Sequence, residues 1–500
     1  MTHSLTLCTQ LDRTCISPSG GELHLLVTLS APQPEAGGGR PPLNLAAVVD
    51  RSGSMGGAKL YFTKQALRFL VDQMGESDRL AVVTYDHHVR VLLGSQPVAQ
   101  KEAVKTLVDS IAAGGSTNLS GGLATGMQQI RPHTGSGIVS RVLLMTDGLA
   151  NAGVTDPGVL VGWARAWREQ GLGLSAMGVG EDFNEDLLVA LAEAGGGNFH
   201  YIENPDQIPE IFAQELQGLL QVAAQGLRLT VELEPGVAVT GVLGYQPEGT
   251  PQRAVVALPD LYGAEVKSVL VRLAVAAPPS DGKLGRVVLD YLPAAPGGQP
   301  SSIAADVTLA VTDDPVRLGE PPSPEVMRQL RLCEASVAWD EAVALADAGD
   351  LQGAAMRLIR AAEELEAGPV PGDSRVAEQV SALRRQAAEI TAAPYDARTR
   401  KRMRQEGFRR RRGGVGGGAG AARLVVALRG LVAAGPQAVG AWGPTLADAR
   451  GRRGPTLPGG QTCNAGPDAV GAGPAPVCAD QSRAGRLLAP GGLAPGLAPR

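Results

Sequence analysis

The chain has 500 residues, 44% hydrophobic and 19% charged, with a formal charge of −5. That length supports two to four domains of ~100–200 residues, and the apolar fraction supports packed cores rather than disorder throughout. No run reaches the ~18–20 apolar residues of a membrane span, and the first residues lack a basic segment leading into a long apolar one. Five cysteines without a C-x-x-C pair argue against a disulfide framework or a zinc site, so a cytoplasmic, reducing setting is expected.

The mild net charge is an average over unlike parts. From Arg398 to Arg500 there are 17 basic and 4 acidic residues, which leaves −18 for residues 1–397. The sequence reads as an acidic body with a basic tail.

In chain order, residues 1–42 hold two strand-like segments, 5–9 and 22–29, which are expected to join a later β domain. Residues 43–220 alternate apolar strands (45–49, 80–85, 89–93, 141–146, 174–179, 199–202) with amphipathic helices. This order predicts an α/β fold, a doubly wound parallel sheet of Rossmann-like form with helices on both faces.

Residues 221–318 change character. Leu227, Leu229, Val231 and Leu233 alternate with Arg228, Thr230 and Glu232, the period of a half-solvated antiparallel strand, and turn residues recur. A β-sandwich-like domain is expected there. Residues 322–395 read as a helical region of two or three helices. Val326, Leu330, Cys333 and Val337 fall at helical spacing, Gly349 and Gly368 sit at C-cap positions, and Ser374 sits at an N-cap. From 396 to 500 a basic run gives way to Ala/Gly/Pro-rich sequence without a period. This predicts a disordered tail, or for 408–500 the product of GC-rich DNA read outside its coding frame.

The chemistry concentrates at strand ends. The first apolar strand runs into Asp50-Arg51-Ser52-Gly53-Ser54, a carboxylate followed by hydroxyls at i+2 and i+4 in a small-residue loop. A second glycine-rich loop, Gly114-Gly115-Ser116-Thr117-Asn118, precedes a helix. The strand at 141–146 ends in Asp147-Gly148. In a doubly wound sheet the first and fourth strands are neighbours, and ligands sit at their carboxyl ends. Asp50 and Asp147 then face one crevice, closed by the Thr117 loop. Two carboxylates and three hydroxyls are hard oxygen donors, which favours Mg²⁺, with Mn²⁺ or Ca²⁺ as alternatives.

With those residues in place, the sequence resembles the von Willebrand factor type A domain and its metal-ion-dependent adhesion site. That family's D-x-S-x-S corresponds to Asp50, Ser52 and Ser54, its distant threonine to Thr117, and its T-D-G aspartate to Asp147. The resemblance covers about 43–215. It implies direct coordination by Ser52 and Ser54, coordination by Thr117 in the ligand-bound form, and aspartates that coordinate directly or through water. The segments 78–86 and 147–156 resemble the bacterial, inter-alpha-trypsin-inhibitor-heavy-chain-like branch, although 42 residues cannot supply the large domain that precedes this one in the heavy chains.

The function expected is metal-dependent protein binding, as adhesion or scaffold, with the ion capturing an acidic side chain of a partner. The alternative is an accessory subunit of an AAA+ ATPase assembly or chelatase-like machine. No specific nucleic-acid partner is expected, because the basic run lacks interleaved aromatics. No catalytic residues are expected, since neither G-x-S-x-G nor H-E-x-x-H occurs. Lys59 follows a glycine-rich stretch but lacks the P-loop context. His87 and His88 read as surface residues pointing to opposite sides of an extended segment.

Overall fold

The computed structural model describes residues 5–33, 40–295, 297–368, 373–392, 394–412 and 477–478. The expectations for 413–500 otherwise lie outside the described residues.

Strands β1 (Thr6–Leu11), β2 (Cys15–Ile16) and β3 (Gly21–Ser30) come first. The α/β unit follows as β4 (Leu43–Asp50), α1 (Ala58–Gln73), β5 (Arg79–Tyr85), β6 (Val89–Pro97), α2 (Lys101–Asp109), α3 (Leu119–Ile130) and β7 (Val139–Thr146). It continues through α4 (Pro157–Glu169), β8 (Leu172–Val179), α5 (Glu185–Ala194), β9 (Gly196–Ile202) and α6 (Ile208–Leu220).

The sheet order is β6-β5-β4-β7-β8-β9. All neighbours are parallel except the β5–β6 hairpin at the edge. Every residue of β4 is buried, because alternate side chains enter two cores. Leu43, Leu45, Ala47 and Val49 pack with α1 and α6, while Ala46 and Val48 pack with α3 and α5. This is why the strand is a continuous apolar run rather than an alternating one. At ~25 cal/mol per Å² of apolar area, a strand covered on both sides is worth far more than a half-exposed one.

The second unit is a sandwich. Its strands are β10 (Val222–Leu233), β11 (Val237–Val242), β12 (Glu248–Thr250), β13 (Arg253–Ala257), β14 (Leu261–Tyr262), β15 (Val266–Val275), β16 (Lys283–Pro293), β17 (Ser301–Thr308) and β18 (Ala310–Val311). One sheet contains β11-β15-β3-β1, and the other is β12-β13-β10-β16-β17 with β14 beside β10. β3 pairs with β15 from Ser30–Val266 to Gly21–Val275. Leu25, Val27 and Leu29 on one inner face share a core with Leu229, Val231 and Val287 on the other. The chain thus leaves the sandwich after β3, builds the α/β unit, and returns at β10.

Helices α7 (Pro315–Leu318), α8 (Pro324–Asp347), α9 (Leu351–Glu366), α10 (Ser374–Ala392) and α11 (Ala397–Arg411) follow, and β19 (Val477–Cys478), within the segment expected to be disordered, pairs antiparallel with β1. The apolar stripe of α8 passes through Ala335, Ala338, Trp339 and Ala342, and Val337, assigned to it from spacing, is 41% exposed.

The expected start of a disordered tail at 396 is corrected here. Residues 397–411 are helical and docked. The Asp396 side chain caps the helix by accepting from the Thr399 N–H at 2.8 Å. Met403 enters the core of the helical region, and Phe408 enters that of the α/β unit. The like charges that would repel one another in isolation are matched by acids distant in sequence. Arg398 pairs with Glu181, Arg400 with Glu185, Asp186 and Asp347, Lys401 with Glu185, Arg404 with Asp186, and Arg411 with Glu193 and Asp340.

Candidate metal centre

β4 ends at Asp50 and β7 at Thr146, and the strands pair in parallel with Val49 beside Met145. Both carboxylates therefore leave the sheet at one edge, the general ligand-binding position of such sheets. Asp50 and Asp147 are fully buried. The Ser52 N–H donates to Asp50 Oδ1 and the Thr146 hydroxyl to Asp50 Oδ2, each at 2.8 Å. The Ser52 and Ser54 hydroxyls lie 3.1 Å apart, and Ser54 donates to Asp147 Oδ1 at 2.8 Å. Four of the five residues singled out from sequence thus form one hydrogen-bonded series from Asp50 to Asp147.

Thr117 arrives from the loop ahead of α3, where the Asn118 side chain accepts from the Gly121 N–H at 3.0 Å. Its own N–H donates to Asn151 Oδ1 at 3.0 Å. A Cβ placed on Gly148, next to Asp147, would stand 3.3 Å from the Thr117 hydroxyl oxygen. The fifth donor therefore lies against the same rim.

Sequence reasoning missed the residues that hold these loops together. Arg51 pairs with the buried Asp86 at 2.7 Å, and its carbonyl accepts from the Gly114 N–H at 2.7 Å. Gly53 N–H donates to the Gly115 carbonyl at 3.1 Å, so the first loop is stitched to the second. Gly115 adopts φ +56°, and a Cβ there would fall 2.1 Å from His87 Nδ1, so both backbone and space require glycine. The available signal was that Arg51 and Asp86 each directly follow a strand end. Lys59, set aside with the P-loop reading, places its Nζ 2.5 Å from Asp147 Oδ2.

His87 and His88 are exposed, as read from sequence, but they sit on a turn with ring centroids 4.0 Å apart rather than pointing apart.

Burial pushes the Asp50 carboxyl above its usual range. Hydrogen bonds from Ser52 and Thr146 act the other way, and the Asp147 charge adds to the rise. Among the described residues no cationic side chain pairs with Asp50. A buried carboxylate without a cation is costly, which is the condition a bound cation relieves. Three hydroxyls and two carboxylates make a compact all-oxygen set that fits a hard divalent ion.

Residues 44–214 match the family model of the von Willebrand factor type A domain. The chain is 33% identical over 209 residues to the uncharacterized protein YfbK of Escherichia coli (strain K12), covering 41% of this chain and 36% of that protein. It is 30% identical over 204 residues to inter-alpha-trypsin inhibitor heavy chain H3 of Mesocricetus auratus, covering 39% and 22%. The chain spans less than half the length of either relative. Among solved structures, a von Willebrand factor type A protein from Catenulispora acidiphila superposes with a TM-score of 0.62 at 20% identity, over 77% of this chain and 90% of the other. The ArnB paralog VWA2 from Sulfolobus acidocaldarius gives 0.56 at 17%, over 81% and 98%. At these identities the likeness concerns the fold alone.

Proposed function

Starting from a chain that carries a von Willebrand factor type A domain, a family that often mediates protein–protein interaction and commonly binds a divalent ion, we propose that this protein is a metal-dependent protein-binding module, an adhesion or scaffold protein rather than an enzyme. Asp50, Ser52, Ser54, Thr117 and Asp147 would hold the ion, with Mg²⁺ preferred. When bound, the ion supplies a Lewis-acidic position for a carboxylate of the partner.

The chain's own residues set that chemistry. Only two of the five donors are anionic and Lys59 already compensates one of them, Asp147, so a dication held here keeps net positive charge and stays attractive to one further acidic side chain. The Ser52–Ser54–Asp147 hydrogen bonds hold the hydroxyls close to donor positions before binding. The Gly114 N–H bond to the Arg51 carbonyl and the Gly53 N–H bond to the Gly115 carbonyl keep the two loops from parting. Burial of Asp50 strengthens its attraction for a cation by removing competing water. The free thiols of Cys15 and Cys333 suit the cytoplasmic setting that we propose with this role.

The observation that carries the reading is the buried, cation-free Asp50, joined by the Ser52 N–H and then the Ser52 and Ser54 hydroxyls to Asp147. Titration calorimetry with Mg²⁺ and Mn²⁺ tests it, comparing the wild type with Asp50→Ala. Saturable binding in the wild type that vanishes in the variant is expected, along with loss of partner capture in EDTA. Equal binding in both proteins, or capture that survives both EDTA and Asp50→Ala, overturns it.

A further inference from the structure

A cavity of about 540 Å³ lies far along the chain from the metal-centre loops, where the sandwich, α8, α10 and the end of α11 meet. Its lining has six cationic side chains (Lys267, Arg375 and Arg409 to Arg412) against three acidic ones, Asp340, Glu378 and Glu406. Two of the acids are engaged: Glu406 pairs with Arg410 at 2.7 Å and Asp340 with Arg411 at 2.6 Å. Lys267 is paired with Glu265. Arg375, Arg409 and Arg412 have no carboxylate partner among the described residues. Arg412 is nonetheless fixed, donating to the Gly196 carbonyl at 3.0 Å and to Asn198 Oδ1 at 2.9 Å.

Arg410 is the telling residue. Its side chain is only 6% exposed and lies over the Trp339 ring, 4.5 Å from the centroid. Glu406 takes its Nη2, but Nε and Nη1 are buried and have no acceptor. Buried guanidinium donors without acceptors are expensive, and Arg410 belongs to a cavity lining in which Arg375, Arg409 and Arg412 lack counter-charges among the described residues. With Nη2 held by Glu406, Arg410 contributes its charge, and the adjacent Arg409 and Arg375 supply the charge-assisted hydrogen bonds that a tetrahedral oxyanion takes. The cavity volume is that of a small-molecule site, and Leu243, Leu332 and Val337 give it an apolar wall. The segment that follows, 413–500, contains eight arginines and three aspartates, so its charge has the wrong sign to neutralise this wall.

We propose that this cavity is a binding site for a phosphate group, free or carried on a small organic molecule, received by Arg410 together with Arg409 and Arg375. The site shares no lining residue with the proposed metal centre.

Titration calorimetry of the full chain at low ionic strength tests this, with inorganic phosphate and an aryl phosphate monoester as probes. Saturable one-site binding is expected, weakened about tenfold by Arg409→Ser and by Arg375→Ser. Both side chains are exposed, so these variants should fold normally even if Arg410→Gln, which disturbs the Trp339 contact, does not. Rising salt weakens binding. Tighter binding of the ester assigns the apolar wall to an organic substituent, whereas equal affinities assign the site to the free ion; both outcomes support the site. No saturation by about 10 mM of either probe, or undiminished binding in both serine variants, overturns the proposal.

Discussion

The Lys59 ammonium lies 2.5 Å from Asp147 Oδ2, so one of the two carboxylates of the proposed metal site is compensated by the chain itself while the other, Asp50, is not. A cation entering between them meets a resident positive charge. Lys59→Met is therefore expected to tighten Mg²⁺ binding by about tenfold, read by titration calorimetry. A weaker affinity in the variant would instead make Lys59 a residue that positions Asp147.

Asp50 predicts an opposition between stability and binding. Its folded-state pKa is raised by burial, so the stability linked to it is full below the unfolded value of 3.8 and is lost as pH rises through the folded one. In EDTA at neutral pH, Asp50→Asn should raise the thermal midpoint while removing Mg²⁺ binding. A midpoint that falls would mean that the carboxylate stabilises the metal-free loop.

Glu215 on α6 has the opposite sign. Burial alone would push its carboxyl up, but His200 at 2.9 Å, the Arg141 charge and the Ser175 hydroxyl outweigh that and hold it at about 2. Its contribution is present above the unfolded value of 4.5 and lost as pH falls toward 2. Glu215→Gln should cost roughly 3 kcal/mol at pH 7 and flatten the acid limb of the urea-denaturation profile.

Gly115→Ala combines a left-handed backbone with a collision against His87. A loss of roughly 1–3 kcal/mol is expected, together with weaker metal binding, because the Thr117 loop must shift. Thermal melts with and without Mg²⁺ check both effects.

Lys401 and Glu185 are buried together where α11 meets α5, and Lys401 also donates to the Phe183 carbonyl at 2.7 Å. Lys401→Ala removes one of the two cations, Lys401 and Arg400, that hold Glu185, and should cost about 1–3 kcal/mol in urea denaturation. The double variant Lys401→Met with Glu185→Leu should recover most of that loss, since it removes both charges.

The clustering of the five proposed ligand residues was legible because each belongs to a local pattern: an apolar run ending in Asp50 or Asp147, or a glycine-rich loop ahead of a capped helix. The doubly wound sheet was legible for the same reason, since a strand covered on both faces must be apolar throughout. The role of Lys59 was not, because it depends on the start of α1 reaching the end of β7, 88 residues away. The α11 helix was hidden more deeply. Its run of arginines has no apolar period, and what stabilises it is a set of acids more than 200 residues upstream, such as Glu181, Glu185 and Asp186. Charge matching across a domain junction leaves no periodic trace in either partner segment.

The inserted position of the α/β unit has a mechanical consequence. Its two connections to the sandwich are clasped by one turn, Ala31 N–H donating to the Glu265 carbonyl at 3.0 Å and Gly263 N–H to the Gln221 carbonyl at 2.7 Å. One connection continues into β3 and the other into β10, strands of opposite sheets. Tension from a tethered partner is then divided between both sheets at the moment it enters them. It loads the ten-residue β3–β15 ladder in shear, so its hydrogen bonds resist together rather than peeling apart one after another.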